Sequence, residues 1–242
     1  MTTTMTTTGD PAPSEMLGPP RARPWVGALT LAVMTSGPRI EPAGADRFDD
    51  VLTMLNPRGR PQACWCLHWR QPRGLGVDDR REHLQELCDR SPAPGLLAFL
   101  PAEDGDGDGD ADGARETVVG WVGLAPVSAA SSLQRSRVLP RIAEAEWPTT
   151  WAVMRFVVRP GYRRRGVARA LLAASVDYAR EHGAHAVQGY PVEPEPGRRV
   201  PVSAAFVGTV GLFESEGFDR VGQTAATSGR LPRWVLRREL VP

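Results

Sequence analysis

The residues best arranged for chemistry lie between Val158 and Ala168, in the run Val-Arg-Pro-Gly-Tyr-Arg-Arg-Arg-Gly-Val-Ala. Before it comes a dense apolar stretch, Trp151 to Val158, interrupted only by Arg155, which reads as a strand. After it, Val167, Ala170, Leu171, Ala174 and Tyr178 share one face of a helix expected from about Arg165 to His182 and stopped by Gly183. Pro160 and Gly161 end the strand, and the backbone N–H groups from Arg163 to Ala168 then begin a helix with no intrahelical partners. Free donors and the positive end of the helix dipole coincide at such a start, which makes it a seat for phosphate. Gly166 lets a ligand approach the main chain, and Ala168 keeps the first turn slim. Arg163, Arg164 and Arg165 add charge around it. The plainer alternative is an ordinary helix start beneath a solvated arginine cluster.

A second unusual stretch is Cys64-Trp-Cys-Leu-His-Trp-Arg70. Trp65, Trp69 and Arg70, with His68, suit a pocket for an amine or a carboxylate. Packing in the core is the competing reading, since Trp and Cys are often buried. A zinc or redox role is weaker, because C-x-C has neither the usual ligand spacing nor the redox C-x-x-C spacing. The acidic run Glu103 to Gly113 invites a calcium reading, but its best frame puts Arg115 where a bidentate Glu is required. It is read as a solvated turn.

These pieces need a frame. Phe48, Val51, Leu52 and Leu55 mark an amphipathic helix opening near Asp46 and stopping at Pro57. Val77, Leu84, Leu87 and Cys88 mark a second, capped by Asp78 or Asp79. Leu96–Leu100 and Val118–Leu124 read as an antiparallel hairpin, with Trp121 toward the core. A short helix fits within Ser131 to Ile142, and Ala184 to Tyr190 reads as a strand parallel to Trp151–Val158. A helix over Thr209–Glu216 and strands over Asp219–Thr224 and Trp234–Leu240 complete the chain.

Bulk properties exclude several classes. The chain has 242 residues, 41% hydrophobic and 24% charged, with net charge +1, so no global field points to nucleic acid or membrane. All 29 basic residues are arginine, and 14 of them lie in residues 151–242 against 8 acids, which suits a polyanionic ligand. Three cysteines are no disulfide framework, so a reducing cytoplasm is expected. The apolar run Trp25–Met34 is too short to span a bilayer. Residues 1–36 are expected to be a disordered N-terminal extension, with Met34 an alternative start, and residues 37–242 a single domain.

The phosphate-loop segment resembles motif A of the GCN5-related N-acetyltransferases (GNAT), whose signature here is Arg163-x-x-Gly166-x-Ala168 after a Pro-x-Tyr approach. Leu212-Phe-Glu-Ser-Glu-Gly-Phe218 resembles the Leu-Tyr-Glu-x-x-Gly-Phe element of the same family. The resemblance implies an α/β fold with a mixed, strongly twisted central sheet and helices on both faces, and acetyl-CoA where two parallel strands part. It implies that the pantetheine arm pairs with the backbone of Phe156, Val157 and Val158, and that the pyrophosphate sits on the amides of Arg163, Arg164, Arg165, Gly166, Val167 and Ala168. The implied reaction is acetyl transfer to a primary amine by direct attack in a ternary complex.

Two departures stand out. The Tyr that usually protonates the leaving thiolate falls at Phe213, and the Asn often found earlier falls near Phe206. The catalytic residues are therefore left unassigned, with Glu144, Glu146, Tyr190 and Glu193 as open candidates for proton transfer. A CoA-binding module without chemistry is the alternative. The expected partners are a small-molecule or peptide amine, with no metal, nucleic acid or membrane, and the expected state is a monomer or homodimer.

Overall fold

The computed structural model describes residues 37–60, 63–102, 116–197 and 200–240. The expectations for residues 1–36, the acidic turn 103–113 and the Arg198–Arg199 pair lie outside these. In chain order the elements are β1 (Arg39–Pro42), α1 (Phe48–Leu55), α2 (Arg80–Cys88), β2 (Gly95–Pro101) and β3 (Glu116–Pro126). They continue as α3 (Ser131–Gln134), β4 (Thr150–Val158), α4 (Val167–Glu181), β5 (Ala186–Gly189) and α5 (Val202–Ala205). The last three are α6 (Val210–Glu214), β6 (Asp219–Ser228) and β7 (Leu231–Glu239).

The strands form one seven-stranded sheet in the order β1-β2-β3-β4-β5-β7-β6. Only β4 and β5 run parallel; every other neighbouring pair is antiparallel. The α/β class with a mixed sheet and helices on both faces is thus as expected. On one face Val167, Leu171, Leu172 and Val176 of α4 pack on Ala98, Val122 and Phe156. On the other, Phe48, Val51 and Met54 of α1 and Leu84 and Cys88 of α2 pack on Leu97, Phe99 and Trp121. The i, i+3, i+4 spacing of apolar residues produces these buried stripes.

β1 was not anticipated. Arg-Ile-Glu-Pro carries one large apolar residue and gives no alternating signal; its pairing with β2 at the sheet edge makes it a strand. The α1 helix opens two residues later than expected, after a 3₁₀ turn over Ala45–Arg47. Asp79 occupies the N-cap of α2, but its side chain accepts no capping hydrogen bond. β6 runs four residues beyond Thr224, through a Thr-Ala-Ala-Thr-Ser stretch that only its pairing with β7 makes extended. No described helix is long and apolar enough to cross a membrane.

Two register features set the geometry beside β4. β4 and β5 pair over four residues, Thr150–Val153 against Ala186–Gly189, after which β4 continues to Val158 alongside β3 alone. A gap therefore opens beside the second half of β4. Within β4, Gly123 is opposite Arg155 while Leu124 is opposite Val153, so Met154 is an extra residue, a β-bulge.

Candidate functional site

The bulge at Met154 changes which backbone groups face the gap. Ahead of it, the Thr149 carbonyl accepts from His185 and Ala186, so odd-numbered residues turn toward β5. One inserted residue reverses the alternation, and the Phe156 N–H turns toward the gap instead. There it donates to the carbonyl of Phe206 at 2.7 Å. By the same alternation Val158 also turns to the gap, whereas Val157 directs its main chain at β3, opposite Trp121. The segment just after α5 thus lies against the strand edge that the family resemblance implies for the pantetheine arm.

Following β4, Tyr162 is buried in the core, and its N–H donates to the Arg159 carbonyl at 3.1 Å. The guanidinium of Arg165 lies 5.2 Å from the Tyr162 ring centroid. Arg159 ties the approach down by donating to Thr117 Oγ1 (3.0 Å) and to the Val118 carbonyl (3.2 Å). From this anchor the chain turns out through Arg163, Arg164, Arg165 and Gly166, all exposed. Arg164 (φ 63°) and Gly166 (φ 79°) adopt left-handed conformations. For Arg164 that costs roughly 1 kcal/mol, a strain typical of turns whose amides converge on an anion. Gly166 is the N-cap of α4, with no side-chain cap and nothing within 4 Å of where a Cβ would stand.

The intrahelical ladder takes hold at Ala170, whose N–H donates to the Gly166 carbonyl at 3.0 Å. The amides of Gly166, Val167 and Ala168 come before it and lack i−4 acceptors by helix geometry. Gly120 of β3 lets this helix end sit close to the sheet, since a Cβ there would stand 2.6 Å from Val167 Cγ1. Of the six loop and helix residues singled out in the sequence, Arg163 to Gly166 are exposed, Ala168 is half-buried, and Val167 turns its side chain into the core. The fit to a diphosphate rests on that open, left-handed turn at a helix start.

The Cys64–Arg70 stretch divides. Trp65 and Cys66 are buried, both with positive φ (51° and 54°), and pack with α1, α2 and Trp121. Burial pushes the Cys66 thiol up to about 12. Arg70 is also buried: its Nη1 donates to the Pro94 carbonyl at 2.7 Å, while Nε and Nη2 have no partner. Desolvation brings its pKa down to about 10, so it stays charged at neutral pH. Gly123 makes room for it, with a hypothetical Cβ 3.1 Å from Arg70 Nη2. Only Trp69 and His68 reach the surface cleft, a space of about 470 Å³ that they line with Arg73, Ser132, Arg135 and Val138. Cys64 is exposed and accepts from Arg155 Nη1 at 3.1 Å.

Of the candidate proton carriers, Glu193 accepts from Arg220 Nη1 and Trp234 Nε1, both at 2.7 Å, and these bonds hold its pKa below the usual carboxylate value. Burial pushes Tyr190 up to about 12, and its hydroxyl accepts from Gln188 at 2.9 Å. Glu144 is exposed, and Glu146 pairs with Arg237 at 3.1 Å. Three of the four, Glu146, Tyr190 and Glu193, are thus engaged by neighbouring side chains. His68 differs. Partial burial, then the positive charges of Arg155 and Arg233, hold its pKa below 6.5, so it is neutral at pH 7.

Phe213 is fully buried, packed edge-on against Phe156 and Phe218. Its Cε1 and Cζ lie 2.2 and 2.5 Å from where a Cβ on Gly189 would stand. Among the described residues, no group of three or more His, Cys, Asp or Glu side chains is arranged to hold a metal ion.

Residues 62–194 match the family model described as Acetyltransferase (GNAT) family. No curated protein matches the chain. Similar solved structures include yncA of Salmonella typhimurium with acetyl-CoA, at 18% identity and TM-score 0.46, covering 85% of this chain and 95% of that one. A GCN5-related N-acetyltransferase from Kribbella flavida is 19% identical with TM-score 0.46, covering 84% and 98%. An N-acetyltransferase from Staphylococcus aureus Mu50 is 14% identical with TM-score 0.49, covering 84% and 99%.

Proposed function

From the premise that the chain belongs to the GNAT acetyltransferase family, we propose that it transfers the acetyl group of acetyl-CoA to a primary amine by direct attack in a ternary complex. The observation that carries this reading is the exposed left-handed turn from Arg163 to Gly166, opening α4 beside the gap between β4 and β5. Acetyl-CoA supplies the activated acyl group. Arg163–Ala168 would hold its diphosphate with main-chain amides and guanidinium charge, and β4 would pair with the extended arm.

The Phe156 N–H turned to the gap is the donor suited to polarising the thioester carbonyl, once it gives up the Phe206 carbonyl. His68, neutral and at the cleft, is assigned to take the proton of the incoming ammonium. Phe213 has no proton to offer, so the departing thiolate takes its proton from water. The three free cysteines fit a cytoplasmic setting.

A CoA-binding module without catalysis is favoured by two observations only, the buried Phe213 and the engaged Phe156 N–H. Release of free thiol from acetyl-CoA, followed with DTNB over a panel of amines, separates the two readings. Amine-dependent thiol release is expected. Gly166→Val, which forces a branched side chain into a left-handed turn, should abolish acetyl-CoA binding by calorimetry while the circular dichroism spectrum is retained. Unaltered acetyl-CoA affinity in that variant would overturn the cofactor assignment.

A further inference from the structure

We propose that the acceptor is an amine that also carries an anionic group, a carboxylate or a phosphonate, and that Arg155 and Arg233 hold that group; this rests on the acetyltransferase reading. Arg155 directly precedes Phe156 on β4, so it stands one residue from the N–H that faces the gap. Its side chain emerges on the face of α1 and α2, where its Nη1 meets Cys64 Sγ at 3.1 Å. Its guanidinium lies 5.1 Å from the Phe206 ring centroid, and its Nε is buried with no hydrogen-bond partner.

Arg233 comes to the same face from the far side of the gap. It is 7% exposed and donates from Nε to the Tyr190 carbonyl at 2.8 Å. Tyr190 packs with Met154, the bulge residue, in one cluster, and His68 feels the charge of both guanidiniums.

Neither Arg155 nor Arg233 has a carboxylate partner among the described residues; their partners are a thiol, an aromatic ring and a main-chain carbonyl. Arg70 and Arg159 likewise bond only to hydroxyl or carbonyl oxygens among the described residues, but other arginines of the fold have carboxylate partners. Arg39 and Arg47 pair with Glu41, Arg220 with Glu193 and Glu214, and Arg237 with Glu146 and Glu239. Withdrawing guanidinium from water without a counter-charge is costly, and a cleft keeps such groups where an anion completes them. The adjoining cleft repeats the pattern. Its lining holds His68, Arg73 and Arg135 and no acidic residue. A cationic acceptor such as a polyamine would meet the charges of Arg73 and Arg135 with no carboxylate to hold it, whereas an anionic amine is drawn in and fixed at one end with its nitrogen free.

The test is a DTNB assay on matched acceptors. Glycine, β-alanine, 4-aminobutyrate and 2-aminoethylphosphonate are compared with glycinamide, ethylamine, propylamine, butylamine and putrescine. The anionic members should have the higher kcat/KM, and the carboxylates against the phosphonate tell which anion the site takes. Arg155→Met should raise KM for the best anionic acceptor by about tenfold to a hundredfold, the size expected for a charge-assisted hydrogen bond. Arg155→Lys should recover part of that loss, and both variants should keep the parent's circular dichroism spectrum and denaturant midpoint, which controls for folding. Preference for neutral or cationic amines, or no turnover of any anionic acceptor by a protein that binds acetyl-CoA, overturns the proposal. Failure of the parent to bind acetyl-CoA overturns the acetyltransferase reading instead.

Discussion

His68 lines the surface cleft and feels the charges of two guanidiniums, and a neutral imidazole there is the proton acceptor of the proposed reaction. Desolvation and the charges of Arg155 and Arg233 both disfavour imidazolium, so His68 holds no proton at neutral pH and gains one only below 6.5. That fixes the sign of the pH effect. Turnover is retained above the folded-state value and lost as pH falls through it. In a kcat profile, His68→Gln should remove that acidic limb and lower the plateau by about 10²- to 10⁴-fold. An acidic limb that survives in the variant assigns the proton to another group. At this scale the turn into α4 was legible in the sequence because everything it needs is local: a strand end, a glycine and a helix start within eleven residues. Arg155 and His68 were not paired there. They lie 87 residues apart, and only the seating of the 63–70 loop over β4 brings them to one face. Trp65 and Arg70, three and two residues from His68, turn inward by the same fold.

The gap itself is a property of strands. β4 outlasts β5 because β5 ends at Gly189, and Gly189 is where the Phe213 ring of α6 leans on the sheet. A methyl group there collides with a side chain that has no room to retreat. Gly189→Ala should cost roughly 1–3 kcal/mol, read as a lower denaturant midpoint at unchanged slope. A variant as stable as the parent would mean that the ring is not fixed in that seat. Elements with dense periodic patterns, such as β4 and α4, were readable from sequence to within a residue or two. β1 and the far half of β6 were not, because their extended form comes from a neighbouring strand rather than from alternation of their own. The bulge at Met154 leaves no trace in composition. It becomes visible only when β3 is laid beside β4.

Across the whole molecule, the arginines of the basic half fall to different uses: Arg163, Arg164 and Arg165 surround the turn at α4, Arg220 and Arg237 pair with carboxylates, and Arg155 and Arg233 have none among the described residues. Arginine alone supplies this charge, so the chain offers no lysine side chain to its own acyl donor. One contact joins the gap-facing strand edge to Arg155. The residue whose carbonyl occupies the Phe156 N–H is the residue whose ring lies against the Arg155 guanidinium. Whatever pries Phe206 from the strand edge also uncovers the cation, so the thioester must enter before the amine has a place to dock. Kinetics should accordingly be sequential and ordered, with free CoA inhibiting competitively against acetyl-CoA and the acetylated product doing so only non-competitively. A random-order pattern would mean that Phe206 is no latch.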